Sequence, residues 1–217
     1  MITVPINETR SWVAYNGNAT SQEDLQQRIR AADVVLSDLD GTDAPSPSFR
    51  VAKRAIGTSY RNLEYGRWIY RCAIAKAIAK PGAESIQWVI YRNTFLNSDD
   101  AKKEVIDLFT QKAVRKSLFP GVEQFYRTIQ NQGADCFYVT RTIDEIARSY
   151  ANVLGFVGVY PDEFKKDSSV NRFILNGGSG YKRFIVKGDS DEDFEMLRFL
   201  RWCKLKGKIE DVVGIYI

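Results

Sequence analysis

The chain has no histidine among its 217 residues. That absence excludes Ser-His-Asp and Cys-His nucleophile pairs and every histidine-ligated metal site. Any acid-base chemistry falls to carboxylates, lysine, tyrosine or cysteine. Cysteine is scarce too: Cys72, Cys136 and Cys203 are far apart, odd in number and form no CxxC pair. A disulfide framework and a zinc site are therefore not expected, and a reducing cytoplasm is. No apolar run approaches the roughly 18 residues of a membrane-spanning helix, so no membrane association is expected. The start, "MITVPINETRSW", lacks the basic opening and apolar core of a signal peptide.

What is present is ordinary for a globular protein, with 44% hydrophobic and 27% charged residues. The net charge of +4 is unevenly spread: Ser48 to Gly82 holds eight basic residues against one acid, Glu64. A solvated helical surface explains this most simply; a positive face towards an anionic partner is the alternative.

Residues 1–17 show no clear periodicity. Asn18-Ala19-Thr20-Ser21, with Glu23 and Asp24 following, predicts a capped helix running to Ala31. Asp33 to Ser37 then reads as a strand. From Phe49 to about Leu118 the pattern is nearly all helical, with helices expected at 49–56, 59–80, 83–95 and 99–117. Beyond Phe119, helices and strands alternate to the end of the chain. This order predicts an α/β fold, a Rossmann-like, mostly parallel sheet with helices on both faces. Residues 1–42 and 119–217 would form that core, and 43–118 an inserted helical bundle.

Functional groups in such sheets collect at the carboxyl ends of the strands. "VVLSDLDGT" delivers Asp38, Asp40 and Thr42 there; "CFYVT" delivers Thr140 and then Arg141; "FIVKGD" delivers Asp189, with Asp193 four residues on. Carboxylates brought together in this way repel, and a hard divalent cation relieves the conflict. With oxygen donors alone, Mg²⁺ is the natural ion. One carboxylate could then attack phosphorus while another, two residues on, shuttles the leaving-group proton. A hydroxyl and a lysine would hold the phosphoryl oxygens.

"DLDGT", a strand ending in Thr140, and "GDSDED" together resemble the haloacid dehalogenase-like (HAD) hydrolase superfamily. The motifs occur in the order that family has, and the likeness spans the chain from about residue 20 onward. It implies Asp38 as nucleophile, Asp40 as general acid and base, and Thr140 as a phosphoryl-binding group. Mg²⁺ would be held by Asp38, Asp189 and the backbone carbonyl of Asp40, with Asp193 in support. The family's lysine precedes the last motif by some two dozen residues; Lys166 fits best, with Lys165, Lys182 and Lys187 as alternatives. Thr42 and Arg141 would add contacts to the phosphate.

The helical insertion looks like the cap of the phosphoserine phosphatase-like branch. Two features depart from that branch: no glutamate follows the first motif, and Thr140 is followed by Arg141-Thr142 instead of Gly-Gly. The expectation is accordingly a Mg²⁺-dependent phosphomonoester hydrolase acting on a small phosphorylated metabolite or nucleotide. The competing expectation is a regulatory HAD-like protein that binds nucleic acid or another protein through its basic insertion. Phosphotransfer to an acceptor other than water is a third.

Overall fold

The computed structural model describes residues 2–7, 10–15, 21–45, 47, 107, 109–142, 144–161, 166–175 and 180–216. The expected helices at 49–56, 59–80 and 83–95, the basic stretch and any cap lie outside these residues.

Strands β1 (Ile2–Asn7), β2 (Arg10–Tyr15), β3 (Val34–Ser37), β4 (Asp135–Thr140), β5 (Gly158–Pro161), β6 (Arg183–Gly188) and β7 (Asp211–Tyr216) form one sheet. Its order is β1-β2-β7-β6-β3-β4-β5. The five strands β3 to β7 run parallel, and β1 and β2 extend the β7 edge as an antiparallel hairpin. All four residues of β3 are buried. This is what a central parallel strand covered on both faces requires, and why Val34, Val35 and Leu36 are apolar without alternation.

Six helices are described: α1 (Gln22–Arg30), α2 (Gln111–Ser117), α3 (Val122–Gln130), α4 (Asp144–Leu154), α5 (Lys166–Leu175) and α6 (Asp191–Leu205). One face of the sheet presents Val35, Cys136, Tyr138, Ile185 and Val213 to a core shared with Leu25, Val114, Tyr126 and Tyr150 from α1 to α4. The other presents Val34, Leu36, Val139, Phe184 and Val186 to Val170, Phe173, Met196 and Leu200 from α5 and α6. Helices thus cover both faces, as the alternation predicts.

Three details differ from the sequence reading. The first is the N-terminal hairpin: Ile2, Val4 and Ile6 do alternate, but Pro5 obscures the signal. Proline is tolerated because β1 is the sheet edge. Secondly, the helix expected over 99–117 is interrupted. Thr110 caps α2 by accepting a hydrogen bond from the Ala113 amide at 3.4 Å. Thirdly, Asp43, Ala44, Phe109 and Val114, expected in the insertion, are buried with the α/β body.

Asp211, at the start of β7, ties α1 and α6 to the sheet by accepting from Arg28 Nε and from Lys204 Nζ, each at 2.6 Å. Burial opposes its ionisation, but these hydrogen bonds outweigh burial and lower its pKa. Asp211→Asn is therefore expected to cost about 1 kcal/mol at pH 7, the cluster being partly exposed. The deficit should vanish in acid, because a lowered carboxyl pKa stabilises above the unfolded value and that stability is lost as pH falls through the folded one. Urea unfolding at pH 7 and pH 3 checks this.

Candidate active site

β3 ends at the centre of the sheet, between β6 and β4. The backbone stays in register one residue further, the Asp38 amide donating to the Lys187 carbonyl at 2.9 Å. It then turns at once: the Gly41 amide donates to the Ala44 carbonyl at 2.9 Å and the Asp43 amide to the Leu39 carbonyl at 3.0 Å. Gly41 adopts φ +81°, and a Cβ there would lie 2.1 Å from Asp189 Oδ2. Both the left-handed backbone and the close approach of the two loops require glycine. Gly188 has the second reason alone, since a Cβ would sit 2.2 Å from the Asp193 side chain. Gly41→Ala is expected to displace Asp189 and cost several-fold or more in any function of these carboxylates. Its far-ultraviolet spectrum should be retained.

Asp38 is 4% exposed. Lys166, on the first turn of α5, reaches it, with Nζ 2.9 Å from Asp38 Oδ1, and pairs also with Asp193 Oδ1. The second oxygen of Asp193 is fully engaged, accepting from the Asp189 and Ser190 amides at 3.0 Å each and from Ser190 Oγ at 2.8 Å. Asp193 thereby caps α6 while its Oδ1 faces the site. The Thr42 hydroxyl donates to Asp189 Oδ1 at 2.9 Å. Oxygens of Asp38, Asp189 and Asp193 lie within 4.8 Å of one another.

The electrostatics follow from this crowding. Burial raises the Asp38 pKa, Lys166 lowers it, and Asp193 and Asp40 push it up again, to about 7. Burial raises Asp189 as well, against the Thr42 hydrogen bond. For Lys166, burial opposes the charge, but Asp38 and Asp193 prevail and hold the ammonium above its usual range. One lysine thus serves a group of carboxylates that it does not neutralise. Oxygen-only donors, a shortage of positive charge and mutual proximity fit a hard divalent cation such as Mg²⁺.

Asp40 accepts a hydrogen bond from the Thr142 hydroxyl. Thr142 is oriented in turn by Thr140, whose Oγ1 accepts from the Thr142 amide at 3.1 Å. Arg141 forms an ion pair with Glu192 at the start of α6. Since β3 lies between β4 and β6, this pair spans the end of β3. The expected site residues Asp38, Asp40, Thr42, Thr140, Arg141, Lys166, Asp189 and Asp193 thus gather around the carboxyl ends of the central strands β3, β4 and β6.

Of the alternative lysines, Lys165 lies outside the described residues and Lys182 is exposed. Lys187 points into the core, where it pairs with Asp43, both fully buried. Burial lowers its pKa, opposed by Asp43. The sequence reading missed Thr142, Glu192 and the role of Asp43. A lysine inside the otherwise apolar "FIVKG" was the available signal for Asp43, because a lysine in a central strand needs a buried acid.

No family model matches the chain, and no curated protein matches it. Solved structures do. A protein of unknown function from Bordetella pertussis Tohama I has a TM-score of 0.55 at 17% identity, over 82% of this chain and 97% of that one. DsGPDH of Dunaliella salina has a TM-score of 0.57 at 16% identity; 83% of this chain is covered, but only 32% of that much longer one. The matched structures include HAD-like hydrolases. One, from Streptococcus pneumoniae, has a TM-score of 0.44 at 15% identity over 85% of this chain and 94% of its own, too loose a likeness to argue from. What the first two share with this chain is its α/β fold.

Proposed function

We propose that the chain is a HAD-like phosphomonoester hydrolase that works through an aspartyl-phosphate on Asp38. The observation that carries this reading is the Asp38–Lys166–Asp193 cluster beside Asp189 at the end of the central strand, with Asp40 two residues on. A buried carboxylate held by an ammonium group and surrounded by further carboxylates is poor as a structural device and well suited to phosphoryl chemistry.

In the proposed reaction an oxygen of Asp38 attacks the substrate phosphorus, and the bond from phosphorus to the leaving oxygen breaks. Asp40 gives that oxygen its proton, with Thr142 orienting the carboxyl. Asp40 then takes a proton from water as the water attacks the aspartyl-phosphate, releasing inorganic phosphate and restoring Asp38. Lys166 and the Thr140 hydroxyl hold phosphoryl oxygens through both steps. Asp38, Asp189 and the Asp40 carbonyl are the groups we assign to Mg²⁺, which when bound supplies the positive charge this site lacks. Arg141 contributes to phosphate binding in competition with Glu192.

The substrate class is a small phosphorylated metabolite or nucleotide. Among the described residues no helix is long and apolar enough to cross a membrane. Cys136 and Cys203 are free thiols, which suits the cytoplasm.

The test is hydrolysis of para-nitrophenyl phosphate by the purified chain. Turnover is expected with Mg²⁺, and its loss with EDTA and in Asp189→Asn. Turnover that persists in both would remove the metal from the mechanism. Product analysis with added alcohols distinguishes hydrolysis from phosphotransfer.

A further inference from the structure

The alignment of the parallel strands puts Tyr138, Ser37 and Lys187 in one row across β4, β3 and β6. Residues in register on neighbouring parallel strands point to the same face, so all three side chains enter the core beneath α3. Asp43, five residues beyond Asp38, folds back over that row. Its carboxylate pairs with Lys187 Nζ and accepts at Oδ2 from the hydroxyls of Tyr138 and Tyr126, both at 2.8 Å. Tyr126 OH also lies 2.7 Å from Ser37 Oγ, and Ser37 Oγ donates to the Asp38 carbonyl at 2.8 Å. Asp43, Lys187, Ser37, Tyr126 and Tyr138 have no exposed surface.

A fully buried ion pair is a costly way to fill a core. Two apolar residues of similar volume commonly serve stability as well or better. This pair has a particular place, however. Asp43 closes the turn that begins at Asp38, and Lys187 stands two residues before Asp189. The pair therefore joins the two loops that bring Asp38 and Asp189 together. The same turn is fixed on its far side, where the Phe119 amide donates to the Asp43 carbonyl at 2.9 Å.

We infer that Asp43 and Lys187 are positioning residues: their buried pair, with Ser37 and the two tyrosines, sets the 38–44 turn so that Asp38 faces Lys166 and Asp189. The inference rests on the proposed role of Asp38 for its catalytic consequence, though not for the loop itself. Fixing a nucleophile to within about half an ångström is what such a supporting layer accomplishes, and a displacement of about 1 Å can cost about 100-fold in rate.

The experiment compares the wild-type chain with the double variant Asp43→Leu/Lys187→Met, which replaces the pair by apolar side chains. Thermal unfolding, amide hydrogen exchange over 38–44, and kcat and KM on para-nitrophenyl phosphate are measured. The double variant is expected to stay folded but to melt below wild type, because the buried Tyr126 and Tyr138 hydroxyls lose their acceptor on Asp43. Exchange should be faster over 38–44, and kcat should fall about 10- to 100-fold at nearly unchanged KM. A folded double variant with wild-type exchange and wild-type kcat overturns the inference, leaving the pair a purely structural one. Should the double variant not fold, Ser37→Ala decides, since it keeps the ion pair and removes only the hydroxyl that donates to Asp38. Faster exchange at 38–40 and a several-fold lower kcat support the inference, and wild-type values for both defeat it. If the wild-type chain does not turn over at all, the proposed function fails, and the exchange arm still decides whether the pair holds the loop.

Discussion

Asp38→Asn is expected to abolish turnover, by about 10⁴-fold or more, while leaving a folded protein. Asparagine fills the same volume and can still accept from Lys166 at its amide oxygen, but it cannot form the acyl-phosphate. The fold should not suffer, because the wild-type carboxyl is itself under tension. Its pKa is raised to about 7, chiefly by burial. A carboxyl raised in this way binds its proton more tightly folded than unfolded. Wild-type stability should therefore fall as pH rises from about 4 to about 7, where the folded state must give up a proton the unfolded chain has already lost. Asparagine does not titrate, so the variant should show a flatter stability profile across that window. Parallel measurements of turnover and of melting temperature at pH 5 and pH 8 check both halves. Full activity in Asp38→Asn would refute the aspartyl-phosphate mechanism outright.

Lys166→Met should have the largest effect on stability. The lysine is 3% exposed and lies between Asp38 and Asp193. Removing one member of a buried charge cluster leaves its partners uncompensated, at a cost of about 3–5 kcal/mol. The sign of the pH dependence follows from both partners. Lys166 has a raised pKa, so its contribution is complete below the ordinary lysine value and lost only as pH climbs through the folded one. In the variant, Asp38 loses the group that lowers its pKa and keeps its proton to higher pH. The gap between variant and wild type should accordingly be smallest near pH 5, where Asp38 is protonated in both. It should widen to pH 8, where only the wild type has a counter-charge. Millimolar Mg²⁺ should recover part of the loss at pH 8, since a ligand that binds only the folded state stabilises it. Denaturant unfolding at the two pH values, with and without Mg²⁺, decides the matter. A variant as stable as wild type at pH 8 would show that Lys166 does not carry the charge balance.

Glu192 illustrates a limit of reading site chemistry along the chain. It falls within "GDSDED" as one of several acids, and nothing local distinguishes it from Asp191 or Asp193. Only the order of β6, β3 and β4 brings it to Arg141 across the end of the central strand. Asp193 is the reverse case. The four-residue spacing from Asp189 places it on the first turn of α6, where an acidic side chain caps free amides. Its position was legible because helix geometry is local.

The family resemblance singled out Lys166; the sequence by itself determined the parallel sheet with helices on both faces and the carboxyl-end grouping of Asp38, Asp40, Thr140 and Asp189. Each of these depends on periodicity, on capping or on spacing within one segment, and short-range sterics and burial control all three. The tertiary structure decided which lysine faces Asp38 and that Lys187 turns inward to Asp43. It also decided that Thr142 orients Asp40 and that a hairpin extends the β7 edge. These follow from strand order and register, which bring together residues more than a hundred positions apart, and no local pattern encodes which of several like charges will meet.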